Sequence, residues 1–350
     1  MAKRNYRKSS KKIQPSVLKM NFKFQTKKDA KNFSYIDISQ CASILNRRFY
    51  RQGLNWAVSG FKVLSPTGDG GAATGVVSIH KLPNTWVMSN AWEKGFRHWM
   101  KMNKDSLETT ESVKPKFLDF KIYANDDHHV LGYGENLLPY SAATLGNPIQ
   151  QATAGEWIHS TFHIPNTSVD SSDAASNNPR SVIAVGANYQ NIGADGQFAV
   201  SLIEGYAASR GLPDIKDPNA PNDAVSINQS LAQNWLAALD NDFDQQTGEV
   251  ISDMLNENNI APYPFEGDGI ATDTQYPGGA NQLNSLEIHS QEFITSTTVG
   301  GTTRMEGGNF PCGLIEIGTS GFDAQYDLFL ELTLVPGFHR GYLAEPMTEM

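Results

Sequence analysis

Charge divides this 350-residue chain into parts that cannot all fold in the same way. Residues 1–31 contain eleven Lys or Arg and one Asp, net +10, and residues 32–121 carry net +5. Residues 122–350 hold five basic and 29 acidic residues, net −24. The overall charge of −9 therefore averages opposite charges held in separate stretches, and a pI near 5.4 does not exclude a polyanionic partner. The first stretch repels itself and lacks a sustained helical or strand period, so residues 1–31 are expected to form a disordered basic arm. Such an arm binds polyanions by counterion release, without reading sequence. Lys3, Arg4, Arg7, Lys8, Lys11, Lys12, Lys19, Lys23, Lys27 and Lys28 are its candidate phosphate contacts, joined by Arg47, Arg48 and Arg51 close behind. Tyr6, Phe22 and Phe24 lie among these cations and are placed to stack on unpaired bases. A Lys/Arg-rich stretch also suits nuclear import, which is compatible with that role.

After the arm, short apolar runs recur between Gly, Pro, Asn and Asp clusters, the pattern of a sandwich built from many strands. With 39% hydrophobic residues, 30 Gly and 17 Pro, the bulk is globular and turn-rich, which excludes a coiled coil. In DLFLELTLV, Leu328, Leu330, Leu332 and Leu334 share one face of a strand. FLDFKIY alternates likewise, and NWAVSGFKVLS, TGVVSIHKL, EWIHSTFHI, RSVIAVGANY, QFAVSLIEGY, NSLEIHSQEFIT and CGLIEIGT are further strand candidates. The expected class is all-β, two packed antiparallel sheets with a few short helices and a long loop insertion.

Two helices are expected early in the body. Ser39 is placed to cap one through CASILNRRFYRQ, ending at Gly53. Asn90 and Glu93 form a possible capping box for SNAWEKGFRHWMKMNK, where Trp92, Phe96 and Trp99 share a face opposite Lys94, Arg97, Lys101 and Lys104. Residues 207–282 are rich in Asp, Asn, Pro and Gly and read as an acidic helical and loop insertion. The expected organisation is thus an arm (1–31), a body (32–206), the insertion (207–282), the last body strands (283–340) and a C-terminal tail (341–350).

Catalytic and metal patterns are weak. His159 and His163 alternate with strand spacing, which puts them roughly 13 Å apart, too far for one ion. Asp126, Asp127, His128 and His129 read as turn chemistry in a loop. Asp240, Asp242 and Asp244 have the alternation of a calcium loop, but Gln245 replaces the turn Gly and Ile251 the closing Glu. GDGG at 68–71 and GGTT at 300–303 suit tight turns. No phosphate-binding loop, nucleophile elbow or zinc-helix motif is present, so no enzyme activity, metal or cofactor is expected. Cys41 and Cys312 are too few for a disulfide framework. No apolar run reaches the roughly 20 residues of a spanning helix, so membrane insertion is not expected.

The stretch KLPNTWVMSNAWEKGFRHWMKMN, followed by KPKFLDFKIYANDDHHVLGYGENLLP, resembles the capsid proteins of circular, Rep-encoding single-stranded DNA (CRESS-DNA) viruses. The likeness is concentrated in residues 81–140; elsewhere it lies in the order of arm, strand-rich body and acidic remainder. It implies a single jelly roll of two four-stranded antiparallel sheets that self-assembles into a small icosahedral shell. It also implies a homo-oligomeric virion whose arms face the packaged single-stranded DNA, passage through the host nucleus, and a host receptor as a further partner. The chain departs from compact circovirus capsids in its Lys-rich arm, which leaves single-stranded RNA open as cargo, and in its long insertion. Two readings compete: a cellular carbohydrate- or protein-binding sandwich using Trp86, Trp157 and Trp235, and a metal-dependent hydrolase built on His128 and His129.

Overall fold

The computed structural model describes residues 16–65, 73–107, 118–140, 152, 157–164, 178–188, 191–210, 286–295 and 301–350. Along the chain come β1 (Lys19–Gln25), β2 (Asn32–Asp37), α1 (Ile38–Asn46), β3 (Leu54–Leu64), β4 (Gly75–Lys81), α2 (Trp86–Leu107) and α3 (Asp126–Leu131). They are followed by β5 (Thr161–Ile164), β6 (Asn178–Ile183), β7 (Phe198–Ser201), α4 (Leu202–Arg210), β8 (Glu287–Ile294), β9 (Thr302–Phe310), β10 (Leu314–Ser320) and β11 (Asp327–Leu334). Three short strands close the chain, β12 (Pro336–Gly337), β13 (Gly341–Tyr342) and β14 (Ala344–Pro346).

The body is mostly β, a sandwich of antiparallel sheets. In one, β1 pairs β11, β11 pairs β3, and β3 pairs β9, while β14 continues the β11 edge of β3 at Leu54–Trp56. The other runs β2-β10-β4-β8. Alternation fixes which residues face inward. Leu328, Leu330, Leu332 and Leu334 are all at most 1% exposed, and Phe24, Phe22 and Met20 lie opposite the first three of them. Ile36, Val77, Ile79, Ile315 and Ile317 face them from the second sheet within one core. Each such side chain stabilises the fold by roughly 1.5–3 kcal/mol when fully buried.

The expectation of an arm through residue 31 is corrected here. KMNFKFQ alternates with period two, and its apolar face completes the core, so residues 19–25 are an edge strand and not an unfolded tail. Residues 1–15 lie outside the described residues. The expected C-terminal tail is corrected as well: β13 and β14 are paired, and Tyr342 and Met347 are fully buried.

The sequence expectation places residues 32–206 in the sandwich. Instead, the span from 82 to 286 lies between the neighbouring strands β4 and β8, and its described part builds a second layer. There β5, β6 and β7 form their own three-stranded sheet, with β6 and β7 parallel. Its residues share a second core with Trp92 and Trp99 of α2 and with Tyr35 and Leu314 of the second sandwich sheet. Trp92, Phe96 and Trp99 do share a buried helix face. FLDFKIY is not a strand: Phe120 and Ile122 are buried, but only Tyr123 forms a bridge, to Ile183. QFAVSLIEGY turns from β7 into α4 after Ser201. Residues 211–285, with nearly all of the expected insertion and Asp240, Asp242 and Asp244, lie outside the described residues.

Local capping also differs from expectation. α1 is capped by Asp37, whose carboxylate accepts from Ser39 N and Gln40 N, and it ends at Asn46 because Arg47 turns left-handed, φ 54°. α2 begins at Trp86, so Asn90 is internal; Thr85 Oγ1 accepts from Met88 N at 3.3 Å instead. β9 is a strand that the sequence expectation does not include, and it contains Gly307 and Gly308. A Cβ at Gly307 would come within 2.2 Å of Val58 O, so this strand crosses β3 too closely for a side chain there.

Candidate nucleic-acid interface

Strand direction assigns the loops to two ends of the sandwich. The β1–β2, β3–β4, β8–β9 and β10–β11 connections share one end, as the pairings Gln25↔Asp327, Asn32↔Thr319, Leu64↔Thr302 and Gly75↔Ile294 require. Ser16, α1, the two junctions of the β4–β8 span at Leu82 and Leu286, and the C-terminal strands share the other. This geometry separates the thirteen sequence-assigned cations. Lys19 and Lys23 sit on the outer face of β1 and pair with the first sheet's own Glu331 and Asp327, at 2.9 and 2.5 Å. Lys27 and Lys28 are exposed in the β1–β2 turn. Arg47, Arg48 and Arg51 lie at the opposite end, after α1. Lys3, Arg4, Arg7, Lys8, Lys11 and Lys12 fall outside the described residues, in the chain leading to Ser16.

The end that carries Ser16 also carries a pocket. Gln52, fully buried, locks the chain that forms it: its Nε2 donates to Asp37 Oδ2 at 3.0 Å and to Ile122 O at 3.1 Å, and its Oε1 accepts from Ile122 N at 2.6 Å. Its backbone N–H donates to Asp119 Oδ1 at 3.2 Å. These bonds fix Phe49 and Arg51 on one side of a cavity of about 230 Å³, which Trp92, Phe96 and Phe120 also line. Trp92 and Phe96 are stacked, centroids 5.0 Å apart and planes 11° apart. Arg340, in the turn between β12 and β13, completes the lining with His339 and donates to Phe49 O. The Arg51 guanidinium lies 5.6 Å from the Phe49 ring centroid.

Asp119 Oδ2 and Trp92 Nε1 lie buried within the pocket wall and have no hydrogen-bond partner among the described residues. Burial pushes the Asp119 carboxyl up to about 6, against the pull of Lys121 and the Gln52 N–H. Burial, then Arg340 and Arg51, hold His339 below its ordinary value, so the guanidinium groups are the cations of the pocket near neutral pH.

The histidines occupy a different place. Asp126, Asp127, His128 and His129 form α3, a helix capped by Asn125, and not a loop. His128 is fully buried, stacks on Tyr35 at 4.2 Å, accepts from Ala124 N through Nδ1 and donates from Nε2 to Asn136 Oδ1 at 2.8 Å. Burial lowers its pKa to about 4, so it is a neutral packing residue with a fixed tautomer. His129 and His159 approach opposite oxygens of Asp195, at 3.4 and 2.8 Å, while His163 is exposed on β5. Burial acts to raise the Asp195 carboxyl, but His129, His159 and Ser181 together hold it below the usual carboxylate range. Among the described residues, no group of three or more His, Cys, Asp or Glu side chains is arranged to hold a metal ion. Cys41 and Cys312 are buried free thiols.

Sequence reasoning finds Arg51 but misses Phe49, Asp119 and Arg340. Phe49 lies between assigned arginines and was available as an aromatic within a basic run. Nothing local marks Asp119 or Arg340, because they meet only through the tertiary fold. No protein-family model, curated protein or solved structure matches this chain.

Proposed function

We propose that this chain is a viral capsid protein whose sandwich is a jelly roll, and that many copies close into a small icosahedral shell around single-stranded DNA. The observation that carries this reading is the strand order. Eight long strands are arranged as β1-β11-β3-β9 and β2-β10-β4-β8, so that successive strands alternate between sheets except at β4 and β8, which are neighbours in one sheet. That is the arrangement of two nested Greek keys, and it returns the first strand beside the last.

The charge layout supports a packaging role narrower than the sequence suggests. The cations of β1 are engaged by Glu331 and Asp327, and Lys27 and Lys28 lie at the other end of the sandwich, so the phosphate contacts of this reading fall to the six cations of residues 1–15. A shell of about sixty copies would bring roughly 360 positive charges from residues 1–15, enough to make packaging strongly salt-dependent. Lateral cohesion falls to the sandwich body: edge strand β8 exposes Ile288 at 61% and Phe293 at 69%. The work is physical, with no catalytic step and no cofactor.

The test is to express the full chain and a variant lacking residues 1–15, then measure nuclease-protected nucleic acid in sedimenting particles. The expected result is particles from both, with protected DNA greatly reduced in the truncated form. Full protection in the truncated particles would remove the packaging role. Protected RNA in place of DNA would correct the cargo, and nucleic-acid-free monomers from both would favour a binding sandwich.

A further inference from the structure

We propose that the pocket between Phe49, Trp92 and Phe96 seats a single nucleobase of the bound strand, while Arg51 and Arg340 hold the adjoining phosphate. The identity of the strand rests on the packaging reading above; the pocket's chemistry does not.

The rings supply the first argument. Aromatic faces stack on any base, and the stacked pair Trp92–Phe96 lies in the same lining as Phe49 and Phe120. A cavity of about 230 Å³ is smaller than the sites of drug-sized ligands, which suits one base and not two. The cations supply the second. The Arg51 and Arg340 guanidinium groups line the same cavity as the rings, so the phosphate next to a seated base meets planar donor forks. A sugar phosphate has no aromatic face to stack.

Position supplies the third. Ser16 Oγ donates to Gly341 O at 3.2 Å, and Tyr342 OH donates to Val17 O at 2.6 Å. The chain that carries Lys3 to Lys12 in its sequence therefore joins the body beside Gly341, the residue after Arg340, at the end of the sandwich that holds the pocket. Because stacking is indifferent to base identity, occupancy should tolerate all four bases.

The experiment uses full-length protein freed of nucleic acid, titrated separately with deoxyadenosine 5′-monophosphate and with deoxyribose 5-phosphate by calorimetry. The expected result is saturable binding of the nucleotide, one per chain, with the sugar phosphate at least ten-fold weaker. Arg51 is exposed, so Arg51→Glu should keep the native circular dichroism and lose at least ten-fold in nucleotide affinity. Equal affinity for the two ligands, or undiminished binding by folded Arg51→Glu protein, would overturn the proposal. Particles that protect DNA in a protein that binds no nucleotide would remove the pocket and leave the shell. Nucleotide binding by a protein that builds no particles would support the pocket and remove the shell.

Discussion

Lys23 Nζ lies 2.5 Å from Asp327 Oδ2, a diagonal contact between β1 and β11 that ties a basic segment to the acidic part of the same chain. The neighbouring contact, Lys19 to Glu331 at 2.9 Å, repeats the arrangement four residues along each strand. Pairs this exposed are worth under about 1 kcal/mol each, so their importance is in what they occupy. Charge neutralised within the sheet is not offered to phosphate. Replacing Lys19 and Lys23 by Gln is therefore expected to leave the protected nucleic acid nearly unchanged. Replacing Lys3, Arg4, Arg7, Lys8, Lys11 and Lys12 by Gln should reduce it strongly. Quantifying nucleic acid in purified particles separates the two, and an equal loss from both variants would contradict the assignment.

Phe22 sits opposite Leu330, and both are fully buried. Phe22→Ala is expected to cost about 3–5 kcal/mol, the range for truncating a buried aromatic. Deletion of residues 1–15 should preserve the thermal unfolding transition, whereas deletion of 1–31 should abolish it by removing an edge strand of the core. A cooperative transition of wild-type midpoint in the longer deletion would refute the role given to β1.

That strand shows how sequence reasoning went astray. KMNFKFQ has a clear period of two, yet net charge taken over 31 residues outweighed a seven-residue pattern. Lysines on the outer face are compatible with a strand once Glu331 and Asp327 stand across from them, and those partners lie some 300 residues away. The leucines of β11 and the aromatic face of α2 were legible because their own period and their burial coincide. β9 was hidden by Gly307 and Gly308, which close contacts with β3 and His289 demand. The pocket was hidden for a different reason: Arg51, Trp92, Asp119 and Arg340 come from four separate segments, and no local pattern joins them.

Two buried groups pull the pH dependence of stability in opposite directions. His128 titrates near 4 in the fold against an unfolded value near 6.5, so between those values only the unfolded chain takes the proton and stability falls by about 3 kcal/mol as pH drops. Asp119 titrates near 6 against an unfolded value near 3.8, so the folded chain takes its proton first and stability rises by about 3 kcal/mol over nearly the same window. Asp119→Asn removes only the second effect. The variant should therefore lose stability more steeply than wild type between pH 6.5 and pH 4 in denaturant titrations. Parallel pH profiles would show that the Asp119 carboxyl is not held up by burial.

Core and edge should respond differently to an introduced charge. Leu330→Asp with Leu332→Asp places unpaired carboxylates in the sandwich core and is expected to prevent folding. Phe293→Asp alters a residue that is 69% exposed on β8, so the protein should remain folded while particle formation weakens. Circular dichroism and sedimentation velocity on both proteins check this; unimpaired particles from Phe293→Asp would move the lateral contact elsewhere.

The most direct measurement is electron microscopy of the purified full-length protein, combined with nuclease challenge and identification of what survives. Closed particles of uniform size holding nuclease-resistant single-stranded DNA are the predicted result. A monodisperse monomer with no retained nucleic acid, from a preparation never exposed to nuclease, would contradict the account.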